Sequence, residues 1–127
     1  GERLKPGPKR TLTLKCPWGG TRVLGLFPSD PKGLRLEGLG ASYRPGTEVA
    51  YGLTVGGKSI RGNYLLDVSV TAPDGRRLQA FSALTCTEDA TCRRRFRLPI
   101  NAPAGKWTIH ARSLWDGAEA TGSFAVK

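Results

Sequence analysis

Apolar and polar residues alternate with a period of two through most of this chain, and no long stretch repeats at helical spacing. A strand buried on one face and wet on the other carries that pattern, so it predicts an all-β protein. In residues 11–16, Leu12, Leu14 and Cys16 fall on one face. The same parity unites Val49, Tyr51, Leu53 and Val55, then Tyr64, Leu66, Val68 and Val70. Phe96 and Leu98 point one way while Arg93, Arg95 and Arg97 point the other. Trp107, Ile109 and Ala111 follow, and Phe124 and Val126 face inward at the end. Between these runs lie breaks rich in Pro, Gly and Asp, at residues 17–20, 28–33, 73–75, 101–105 and 115–117. About eight or nine strands, punctuated every 8 to 12 residues, predict an antiparallel two-sheet β-sandwich.

The chain's 127 residues suit one domain, expected over 12–127. Residues 1–11, with two prolines and the basic residues Arg3, Lys5, Lys9 and Arg10, read as a linker or poorly ordered terminus. No run approaches the roughly 18 to 20 apolar residues of a membrane-crossing helix. The sequence has no Met and opens without a signal peptide's apolar core, so it reads as a piece of a longer chain whose signal, if any, lies upstream.

Three motifs then occur in order: YRPGTEVAYGLTV from Tyr43, LLDVSVTAPDGRRL from Leu65, and FRLPINAPAGKWTIHARSLWDGAEATGSFAVK from Phe96. They resemble the Y-x-P-G-x-x-V opening strand, the V-x-V-x-x-P-x-G hairpin and the P-x-G-x-W-x-[IV] closing pair of the macroglobulin-like and immunoglobulin-like sandwich modules of large bacterial extracellular and envelope proteins. The likeness covers about two thirds of the chain; residues 12–42 match less well. It implies an immunoglobulin-like sandwich serving as a spacer or recognition module, without an active site or cofactor, in an extracellular, periplasmic or envelope setting. The Cys-Gly-Glu-Gln thioester run of some macroglobulins is absent, and Cys16 in KCPWGG does not replace it.

Residues able to do chemistry are sparse. The spacing of Cys16, Cys86 and Cys92 fits no zinc site. Cys86 and Cys92 enclose TEDAT, which leaves two readings open: a disulfide across a hairpin mouth, or two reduced thiols. Cys16 is expected as a small buried apolar residue. His110, the one histidine, has outward parity and lacks a nucleophile motif beside it. Asp30, Asp74, Asp89 and Asp116 sit in turns and Asp67 in a strand, with no marked catalytic pair. Glu88-Asp89 lacks the repeated acidic ligands of a calcium loop. No catalytic or metal residue is predicted.

Binding residues are better marked, because 20 Lys and Arg outnumber 10 Asp and Glu, giving a formal charge of +10. Arg93, Arg95 and Arg97 recur on one strand face about 7 Å apart, a row able to engage sulfate, carboxylate or phosphate. Arg76 and Arg77 are expected to extend it; the competing reading is a solvated, edge-protecting face. Nucleic acid is not expected as a partner, since no aromatic platform shares that face. Trp18 and Trp115, beside turns, raise the alternative of a carbohydrate-binding module for neutral or anionic glycans. The sequence therefore predicts a non-catalytic module contacting the rest of a larger polypeptide or another protein, with an anionic polysaccharide as a further partner class.

Overall fold

The computed structural model describes residues 13–22, 24, 31–57 and 60–127. Among these residues eight strands form two sheets. They are β1 (Leu34–Glu37), β2 (Ser42–Tyr43), β3 (Glu48–Val55), β4 (Leu65–Thr71), β5 (Ala83–Cys86), β6 (Thr91–Arg97), β7 (Gly105–Ser113) and β8 (Glu119–Val126). One sheet has the order β1-β3-β6 and the other β2-β8-β7-β4-β5. The predicted all-β sandwich is present. Every pairing is antiparallel except the short contact of β2 with β8, which runs parallel through Ser42–Ala125 and Tyr43–Val126.

Alternation decides which residues meet between the sheets. Val49, Tyr51, Leu53 and Val55 of β3 and Leu66, Val68 and Val70 of β4 are buried, together with Trp107, Ile109 and Ala111 of β7 and Phe124 and Val126 of β8. The Trp107 ring stacks on Phe124 at 6.0 Å and its Nε1 donates to the Pro103 carbonyl at 3.0 Å. The polar tip of a buried indole is thereby satisfied.

Three local readings differ from this picture. Thr13 to Cys16 alternate correctly yet form no strand: all four are exposed, and Cys16 is exposed rather than buried. Alternation stabilises a strand only when another strand takes its hydrogen bonds and its apolar face is covered. The sequence also predicts a short strand near Leu78 to Leu84, which begins instead as a single 3-10 turn, Gln79–Phe81, before β5. The prediction of a linker over residues 1–11 lies outside the described residues.

A two-residue turn carries the chain from one sheet to the other. Asp89 and Ala90 both have positive φ, 44° and 67°, between Glu88 and Thr91, which bridge each other. Surrounding groups hold this turn: the Ala90 N–H donates to the Gly62 carbonyl at 2.8 Å and the Val55 N–H to the Ala90 carbonyl at 2.8 Å. Just before it, the fully buried Thr87 accepts the Tyr64 N–H on its hydroxyl at 2.8 Å.

At the end of β7, the Ser113 hydroxyl is buried and meets no hydrogen-bond partner. Desolvating a hydroxyl without replacing its water bonds is unfavourable, so Ser113→Ala should raise stability by about 1 kcal/mol. Thermal melts would show this as a Tm gain; a lower Tm would mean that the hydroxyl is satisfied in solution.

Candidate interaction surface

The outer face of the three-stranded sheet is built from residues of opposite parity to the core. On β6 these are Arg93, Arg95 and Arg97, all exposed as the sequence predicts. Arg93 lies opposite Gly52, Arg95 opposite Ala50 and Arg97 opposite Glu48 on β3, while Glu37 of β1 faces Gly52 from the other side. Because Ala50 and Gly52 carry little or no side chain, the central strand forms the floor of an open trough. The guanidinium groups stand along one wall and Glu37 along the other.

Among the described residues little neutralises this row. Arg95 Nη1 stands 4.0 Å from Glu48 Oε1, with both side chains more than half exposed, and Arg97 Nε donates to the Gly46 carbonyl at 2.9 Å. Such an exposed ion pair adds little energy and leaves the arginines able to take another anion.

Arg76 and Arg77 do not extend the row. Arg77 Nη2 pairs with Asp67 Oδ1 at 3.1 Å, and Asp67 alternates with buried Leu66 and Val68, so this pair lies on the outer face of the five-stranded sheet. Arg76 Nε is engaged by Asp74 Oδ2 at 2.6 Å. The Arg76 side chain and backbone hydrogen bonds hold the Asp74 carboxyl below its usual pKa. Hairpin position is legible in sequence, but the face it serves depends on which sheet the strand joins.

Arg94 is the residue that the sequence reading passed over. It shares inward parity with Phe96 and Cys92, and it lies half-buried in the seam between the edge strands β5 and β6. Its guanidinium lies beside the Tyr51 hydroxyl and 3.4 Å from Thr85 Oγ1. Burial raises the Tyr51 pKa, with Arg94 opposing it. An arginine of the same parity as core residues was the available signal, because a charge turned inward needs a partner. Beside it the Phe81 and Phe96 rings stack at 4.7 Å and close the seam.

Of the two readings the sequence leaves open, the structure has the thiols: Cys86 and Cys92 are both free. The reason is parity. Cys86 is exposed with Leu84 on the outer side of β5, whereas Cys92 turns inward beside Arg94. The strands diverge from their turn to join different sheets, as Cys86 pairs with Leu65 and Cys92 with Leu53. Burial raises the Cys92 pKa, with Arg94 and Thr85 opposing it. A maleimide should therefore label Cys16 and Cys86 of the native protein faster than Cys92, and all three thiols of the denatured, unreduced protein. Recovery of one labelled thiol would restore the bridge.

The tryptophans divide by depth. Trp18 is fully exposed, Trp107 is core, and Trp115 is half-buried against the core. His110 Nε2 lies 3.4 Å from Glu119 Oε2 on the five-stranded sheet's outer face. Among the described residues no group of three or more His, Cys, Asp or Glu stands together as a metal site, and no helix is long and apolar enough to cross a membrane.

No protein-family model matches the chain, and no curated protein matches its sequence. Solved structures do. Salmonella alpha-2-macroglobulin reacted with methylamine is similar with a TM-score of 0.65 at 24% identity, over 80% of this chain and 6% of that one. Native Escherichia coli alpha-2-macroglobulin gives 0.64 at 24% identity, over 80% and 6%. The E. coli protein activated by porcine elastase gives 0.62 at 25% identity, over 73% and 8%. The chain thus spans less than a tenth of the proteins that it resembles. In fold it is a macroglobulin-like, immunoglobulin-like β-sandwich.

Proposed function

We propose that this chain is a non-catalytic structural or interaction module of a larger exported protein. The observation that carries this reading is the likeness of most of the chain to a small segment of bacterial alpha-2-macroglobulins. Fold alone assigns no activity, so the role of such a domain is argued from the sites and surfaces that it carries. The candidate surface fits this role, since it offers an open charged trough on a rigid sheet rather than an enclosed cleft with a reactive group.

Export is tested in cells making the full-length protein with an epitope inserted in this module. Protease added to intact spheroplasts should remove the epitope while sparing a cytoplasmic marker. Protection equal to that of the marker would reject an extracellular, periplasmic or envelope location.

A further inference from the structure

The arginine row coincides with backbone of an edge strand that no other strand pairs among the described residues. In an antiparallel pair, residues directly opposite alternate between those exchanging backbone hydrogen bonds and those whose N–H and C=O point away. At one end of β6 the Leu98 N–H donates to its direct partner, the Thr47 carbonyl, at 2.9 Å; at the other the Val55 N–H donates to the Ala90 carbonyl at 2.8 Å. The even-numbered residues therefore bond to β3. Those of Arg93, Arg95 and Arg97 point out of the sheet, because β6 is its edge. The same three residues present exposed guanidinium groups on the outer face.

We infer that the free edge of β6 takes an extended acidic segment of polypeptide as an added strand. The inference rests on the reading of the chain as an interaction module and names the partner's chemistry. Residues of an added strand opposite Arg93, Arg95 and Arg97 lie on the arginine side with Cβ atoms about 4.5 to 5.5 Å away, within reach of a carboxylate. Its intervening residues turn toward the seam, where the Phe81 and Phe96 rings stack at 4.7 Å and are only half-buried. The pattern that fits is Glu or Asp alternating with a β-branched apolar residue. A second copy of β6 does not fit, since it would set arginine against arginine, and like charges directly opposed across strands are destabilising. The charge that blocks self-pairing selects an acidic partner.

The test titrates a fluorescein-labelled peptide, Glu-Val-Glu-Val-Glu-Val-Glu, into the whole chain and reads anisotropy. Two control peptides accompany it: one of the same composition with the four Glu and three Val in blocks, and one with alternate backbone nitrogens methylated. The alternating peptide should bind saturably, with each control weaker by about tenfold or more. Arg95→Glu should weaken binding by about tenfold, whereas Arg76→Glu, in the turn after β4 and outside the row, should leave it unchanged. Arg93→Gln, a milder change at an exposed position, gives a smaller loss in the same direction. Equal binding of all three peptides, or full displacement by a heparin oligosaccharide with no effect of N-methylation, would show a non-specific anion surface and overturn strand addition. Absence of binding overturns it too. A chain that binds no peptide yet lies outside the cytoplasm in its longer protein leaves the module reading standing.

Discussion

Trp107→Ala should lower the melting temperature by roughly 20 °C, given a loss of about 4 kcal/mol for a buried tryptophan and several degrees per kcal/mol in a domain of this size. The side chain is 1% exposed, stacks on Phe124 and donates its indole N–H to Pro103. Truncation removes the largest fully buried side chain and leaves the Pro103 carbonyl without its donor. The informative comparison is Trp18→Ala, which removes the same atoms from a fully exposed position and should change stability by less than about 0.5 kcal/mol. Chemical denaturation of both variants beside the parent measures the contrast. Equal midpoints would mean that Trp107 is not the centre of the core.

Gly56→Ala should cost about 2 to 3 kcal/mol for a single methyl group, the scale of overpacking joined to a broken backbone hydrogen bond. A Cβ at Gly56 would stand 2.6 Å from the Lys32 carbonyl oxygen, a main-chain atom that no rotamer change moves aside. Gly56 accepts the Lys32 N–H at 2.7 Å and donates to the Gly33 carbonyl at 2.9 Å, continuing the β1–β3 ladder past its last strand pair. Relieving the contact separates these strands where β1 begins. Gly52→Ala provides the control, because its Cβ would meet nothing nearer than 3.8 Å. Urea midpoints should show Gly56→Ala clearly destabilised and Gly52→Ala near the parent; the reverse order would reject the close approach at Lys32.

The parts of the fold legible in the sequence are those where one strand face had to be buried. Val49 to Val55, Tyr64 to Val70 and Trp107 to Ala111 needed only parity, which is local, so the core and the arginine row follow from reading every second residue. Pairing is not local. Thr13 to Cys16 carry the same alternation and form no strand, and Cys86 and Cys92 sit close in sequence yet point to different sides of their strands. The Arg77 pair with Asp67 belongs to the opposite face for the same reason, since the sheet that receives each strand depends on residues far along the chain. The parallel contact of β2 with β8 spans two residues, too few for periodicity to mark.

The turn between β5 and β6 has a kinetic consequence. Asp89 and Ala90 both adopt left-handed backbone angles that a side chain disfavours, so this link has weak local preference for its own shape. Glu88 and Thr91 bond each other across it, and further bonds come from Gly62, 27 positions from Asp89 and 28 from Ala90, and from Val55, 35 from Ala90. A link held by distant partners as well as by its own ends reaches full stability only once those partners have assembled, because the loop-closure entropy of such contacts must be met first. Ala90→Gly is therefore expected to alter the unfolding rate more than the folding rate, which a chevron of the variant beside the parent measures.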